Sequence, residues 1–202
     1  MKKGKYGSST TASGNAQETM PTSGGGAATR AESVIRANRI ATSAVLVALA
    51  MIFSYIEAII PFNFGVPGVK LGLSNLVVII ALFMLGASFA LSINVIRIVL
   101  SGFLFGGVFG ILYSMSGGLL SLLIMVILKK TGKFSIVGVS MAGGVFHNVG
   151  QIIVAALIVE NVKMMLYLPV LLISGMLTGI LIGIVAYKVL GLAGGKRKDF
   201  LI

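Results

Sequence analysis

The chain has 202 residues, 57% of them hydrophobic and only 10% charged, with a formal net charge of +11 and no cysteine. Soluble domains carry about 25% charged residues, so this composition excludes a water-facing globule and describes a polytopic membrane protein. Disulfides, thiolate nucleophiles and cysteine metal sites are excluded too, and the cations flank apolar runs, as topology signals do, so no nucleic-acid partner is expected.

Residues 1–37 are rich in Gly, Ser and Thr, carry scattered basic residues and lack an apolar signal-peptide core. They predict a disordered basic cytoplasmic tail, with the first apolar segment acting as an uncleaved anchor. Runs long enough to cross a hydrocarbon core of about 30 Å follow. They lie at 40–61, 72–87, 88–104, 106–128, 134–159 and 164–188. The expected fold is all-α, a bundle of six transmembrane helices over residues 38–190, followed by a basic tail at 191–202. Charge orients it. With the N-terminus inside, Lys2, Lys3, Lys5, Arg30, Arg36 and Arg39 are cytoplasmic, as are Lys129, Lys130 and Lys133 in one turn and Lys188, Lys196, Arg197 and Lys198 at the end. Only Lys70 and Lys163 fall outside. That asymmetry predicts both termini in the cytoplasm of a multi-pass protein in the cell membrane.

Along the first span, Ala44 and Ala48 lie one turn apart and form a small-residue ridge, suited to helix packing or to docking a partner. Glu57 lies near the outer end of that span. The loop "PFNFGVPGVKLG", residues 61–72, has too many prolines and glycines for a continuous helix and is apolar for an outside loop. It reads as a plug or lid folded over the bundle mouth, with Lys70 adding attraction for an anion. Span two opens with Ser74 and Asn75.

Span three carries Arg97 near its centre, with Asn94 one turn towards the cytoplasm. A guanidinium at mid-bilayer costs about 2.5–3.5 kcal/mol on insertion scales, so its presence needs a reason. One reading is an internal ion pair with Glu57. The other is a grip on the anionic group of a solute, for which a two-donor fork is well shaped. Gly102, Gly106 and Gly110 then recur every four residues across the third turn and read as a close-packing ridge, and span four brings Tyr113, Ser114 and Ser116. In span five, "HNVGQ" sets His147 and Gln151 four apart on one face beside Asn148. His147 alone fits an interhelical hydrogen bond, while the three together resemble the few polar contacts of a small-molecule pocket. Tyr113 fits core packing equally well. Gly175, Gly179 and Gly183 make a close-packing ridge in span six. One histidine and two distant glutamates cannot supply a zinc or nickel set, so neither metal nor cofactor is expected.

The runs "VPGVKLGLSNLVVIIALFMLG", "INVIRIVLSGFLFGG", "LYSMSGGLLSLLIMVILKK" and "MAGGVFHNVGQIIVAALI" together resemble the Gx transporter family, often labelled heptaprenyl diphosphate synthase component I. That family is similar in turn to the substrate-binding S components of energy-coupling-factor (ECF) vitamin transporters. The resemblance implies a substrate-capture protein that binds a vitamin-like solute near the outer face, which the Arg97 fork would make a small anionic one. It also implies docking through span one, where Ala44 and Ala48 stand, to a coupling transmembrane subunit driven by ATPases. The chain itself has no P-loop spacing. The family label implies a prenyl-elongating partner instead. Prenyl diphosphate synthases hold Mg²⁺ with aspartate-rich motifs, and the single aspartate here is Asp199 in the tail. The chain is therefore read as non-catalytic. Rival readings are a membrane subunit assisting heptaprenyl diphosphate and quinone synthesis, a gradient-driven transporter, and a scaffold for a redox or flavin-handling complex.

Overall fold

The computed structural model of the chain describes residues 24–59 and 72–193. The chain divides into two units, Met1–Ala37 and Asn38–Ile202. In the first, helix α1 (Gly24–Ile59) already begins at Gly24, and Ser33 Oγ donates to Arg30 O within it (2.8 Å). The later part of the tail expected to be disordered is thus helical. The rest of that tail, residues 1–23, lies outside the described residues, as do residues 60–71 with Lys70 and the tail from 194 on.

The second unit is helical wherever it is described. After α1 come α2 (Leu73–Met84), α3 (Ala87–Ser101), a π-helical segment (Gly102–Gly106), α4 (Gly107–Thr131), α5 (Ile136–Ile158), a 3₁₀ segment (Val162–Tyr167) and α6 (Leu168–Leu192). Beyond its first turn helix α2 is apolar around its circumference, and Val77 to Leu82 are all buried, so it is wrapped by the other helices. Ile93, Ile136, Val139 and Ala186 join its buried side chains in the core. At its C-terminal end, Lys129 of α4 donates to Leu82 O (2.7 Å) and sits 4.8 Å over the Phe83 ring. A cation there satisfies a terminal carbonyl and complements the helix dipole.

Outside this core the polarity is inverted relative to a soluble protein. Phe103, Val108, Leu157, Leu177 and Leu181 are each more than half exposed. Such apolar surface is stable against lipid, not water. Among the described residues, four stretches are long and apolar enough to cross a bilayer: Thr29–Ile59, Ala87–Thr131, Ile136–Ile158 and Val162–Leu192. This is a membrane protein. The expected count of six spans is not reached by length, for two reasons. Helix α2 has 12 residues, about 18 Å at 1.5 Å per residue, and α3, the π-helical segment and α4 follow one another over Ala87–Thr131 with no loop between them.

That stretch nevertheless folds back on itself. A methyl group at Gly118 would lie 2.8 Å from Ile98 Cδ1 and 3.0 Å from Asn94 Nδ2, and one at Gly102 would overlap Ile111. Residues so far apart in sequence meet only if α4 returns along α3. The reversal sits at Gly107, whose φ of 65° and ψ of 178° define a backbone shape open to glycine alone. The expected ridge of Gly102, Gly106 and Gly110 is therefore not one helix face. It straddles a π turn and a bend.

Glycines carry the α4–α5–α6 packing. A Cβ at Gly117 would stand 2.6 Å from His147 O, one at Gly150 would stand 2.8 Å from Ser116 O, and Ser116 Oγ donates to Gly150 O (3.0 Å). On α6, Gly179 and Gly183 would each place a Cβ 2.7 Å from the Cα of Met141 and Val137, and Gly175 abuts Gly144. Small residues at these positions let the backbones approach to contact.

Candidate functional site

The site is built on the buried side chain of Arg97, 5% exposed, in the middle of α3. Its Nε donates to Asn94 Oδ1 (3.1 Å) and its Nη2 to the same oxygen (2.8 Å). Nη2 also donates to Asn75 Oδ1 (3.0 Å), and Nη1 to Ser74 Oγ (2.9 Å). Asn94 lies one turn back on α3, on the same face, while Ser74 and Asn75 come from the first turn of α2. Four of the five guanidinium N–H groups are thus engaged, and one on Nη1 is left without an acceptor among the described residues.

Glu57 reaches this network from α1. Its Oε1 accepts from the Leu73 backbone N–H (2.7 Å) and its Oε2 from Ser74 Oγ (3.1 Å). The carboxylate therefore satisfies an open amide at the α2 N-terminus, where negative charge is favoured. It meets Arg97 through the Ser74 hydroxyl, not directly as the ion-pair reading had it. Ser74 Oγ accepts from the guanidinium and donates to the carboxylate, so cation and anion are one hydroxyl apart in a polarised chain.

Beside the network lies a cavity of about 320 Å³. Arg97, Glu57, Ser74, Asn75, His147 and Gln151 line it, together with Ser54, Ser101, Ser114 and Phe105. His147 and Gln151 are admitted by Gly117, where a Cβ would stand 2.7 Å from Gln151 Cγ and 3.2 Å from His147 Cε1. Gly106 and Gly110 also face the cavity; a Cβ at Gly106 would stand 4.0 Å from Ser101 O, and one at Gly110 would meet nothing within 4 Å. Unlike the glycines of α6, these two leave room without bringing helices together. Phe105, from the π-helical segment, has its ring 5.3 Å from that of Tyr55.

A model of the family "Heptaprenyl diphosphate synthase component I" matches residues 46–189 of the 202. The chain belongs to that family. Neither a curated protein nor a solved structure matches it. The matched segment contains the whole Glu57–Ser74–Arg97 chain, His147 and Gln151, and starts between Ala44 and Ala48.

Of the residues singled out from sequence, Arg97, Glu57, Asn75, His147 and Gln151 come together around the one cavity. Asn148 turns elsewhere. Its Nδ2 donates to Leu171 O of α6 (2.6 Å), and it lines a separate hollow of about 30 Å³ with Ser121 and Thr178. Tyr113 is half-buried and absent from the cavity wall, while its backbone carbonyl accepts from Ser116 Oγ. Ala44 and Ala48 are exposed on α1, in line with Ile52 and Tyr55. Lys70 lies outside the described residues. Ser54, Ser101 and Phe105 were not foreseen. The serines carried a signal, since Ser54 lies three residues before Glu57 and Ser101 four after Arg97, each on the same helix face as its partner. Phe105 carried none, because its orientation depends on the π turn. Among the described residues no cluster of His, Cys, Asp and Glu could hold a metal ion.

Proposed function

We propose that this chain is a substrate-capture subunit of a small-molecule uptake system in the cell membrane, similar in its logic to the S components of ECF transporters. In this reading it crosses the membrane six times with both termini in the cytoplasm. Helices α3 and α4 form a hairpin of two crossings, and the short α2 makes one more. ATP is hydrolysed by partner subunits, and a coupling membrane subunit docks on the small-residue face of α1 at Ala44 and Ala48. The observation that carries the reading is Arg97. A cation in an apolar bundle is functional by default, and this one lines a cavity together with eight other polar residues.

The test is native mass spectrometry of the protein purified in mild detergent. A retained small molecule is expected, and it should be absent from an Arg97→Ala variant that still inserts and melts cooperatively. A variant that keeps the molecule sinks this reading.

The family match supports a second reading, a non-catalytic membrane partner of a heptaprenyl diphosphate synthase. That reading predicts co-purification with a soluble aspartate-rich synthase and loss of long-chain quinone on deletion. The capture reading predicts neither.

A further inference from the structure

The charges around the cavity narrow what it can hold. Among its described lining residues, the charged ones are Arg97 and Glu57, one of each sign. They are fixed relative to each other by Ser74, whose hydroxyl is committed to both. The guanidinium has one N–H left to offer, on Nη1. Each Glu57 oxygen accepts one bond and keeps capacity for another. The wall therefore presents a cationic donor and an anionic acceptor side by side, with the neutral amides of Asn75 and Gln151 around them.

A diphosphate fits this wall badly. It brings two to three negative charges and wants several charge-assisted donors or a bound divalent cation. Among the described lining residues it would find one uncommitted guanidinium N–H, only neutral amide and hydroxyl donors from Asn75, Gln151 and the serines, and a carboxylate close enough to repel it. A molecule with an acceptor or single acidic group next to an N–H or ammonium donor satisfies both sides at once. We infer that the cavity selects a compact, charge-balanced solute, one acceptor-and-donor edge with no more than a single net negative charge, and rejects diphosphates. This inference rests on the capture reading above and deepens it by naming the substrate class.

Binding to the purified protein tests it, read by native mass spectrometry with four probes: inorganic pyrophosphate, geranyl diphosphate, the lactam uracil and the zwitterion glycine. The formula of any molecule retained from the membrane is read in the same spectra. The expected result is no diphosphate adduct at concentrations where uracil or glycine binds, or a retained molecule with at most one acidic group. Glu57→Gln removes the anionic half of the wall. It should weaken the charge-balanced probe or retained molecule at least tenfold and raise pyrophosphate binding. Diphosphate binding to the unaltered protein as tight as that of the other probes overturns the inference and leaves capture standing. So does a retained molecule with two or more acidic groups. No retained molecule and no bound probe overturns both. The unaltered protein decides the main question, so a folding defect in Glu57→Gln does not blunt the test.

Discussion

Arg97 is held so completely that its removal and its replacement have separable consequences. Truncation to alanine strips acceptors from contact at Ser74, Asn75 and Asn94, and each buried polar group left unpaired costs about 1–3 kcal/mol. Arg97→Ala should therefore melt several degrees lower in detergent, measured by circular dichroism, and lose its bound molecule. Arg97→Lys keeps the charge, but a single ammonium cannot span acceptors arranged around a planar fork. The lysine variant should insert normally, lose at least tenfold in ligand retention, and fall between the native protein and Arg97→Ala in melting temperature. Equal retention in the native and lysine proteins would mean that charge alone matters and the fork does not.

At the scale of helices, two kinds of glycine predict opposite outcomes. Gly179 of α6 faces the α5 backbone, and an added Cβ would meet Met141 Cα at 2.7 Å. Overpacking of this kind costs about 1–3 kcal/mol. Gly110 of α4 has nothing within 4 Å of the same position and lines the cavity. Gly179→Ala should lower the melting temperature and leave ligand affinity nearly unchanged per folded molecule. Gly110→Ala should leave melting unchanged or raised, since alanine favours a helix over glycine by about 1 kcal/mol, and should weaken retention by filling the cavity. The ridge on α6 was legible in the sequence because its spacing follows a straight helix. That on Gly102, Gly106 and Gly110 was misread, because equal spacing looks the same on a straight helix and across a π turn followed by a left-handed bend. The helical class and the convergence of Arg97 with Asn75, His147 and Gln151 were legible from polarity, since few polar residues interrupt the apolar runs. What polarity could not supply was direction. Asn148 adjoins His147 in sequence, yet a step of about 100° around a helix turns it to α6. Nor did the sequence pattern mark Ser74 as the bridge between Glu57 and Arg97, since that depends on how α2 sits between α1 and α3.

For the molecule as a whole, the proposed topology is directly testable because the chain has no cysteine. A single introduced cysteine then reports one position. Lys133→Cys, in the turn between α4 and α5, should react with a membrane-impermeant maleimide only after the cells are opened. Asn161→Cys, in the turn after α5, should react in intact cells. Labelling of both from outside, or of neither, would refute six crossings with both ends inside. The Glu57 side chain ties this scale to the smallest one. It anchors the start of α2 through the Leu73 amide and faces the cavity through its remaining lone pairs. A guest that draws on that carboxylate competes with the fastening of one helix to the next, so occupancy and the tautness of the α1–α2 junction rise or fall as a single equilibrium. The vessel would report its own filling, through a change in stiffness at its rim.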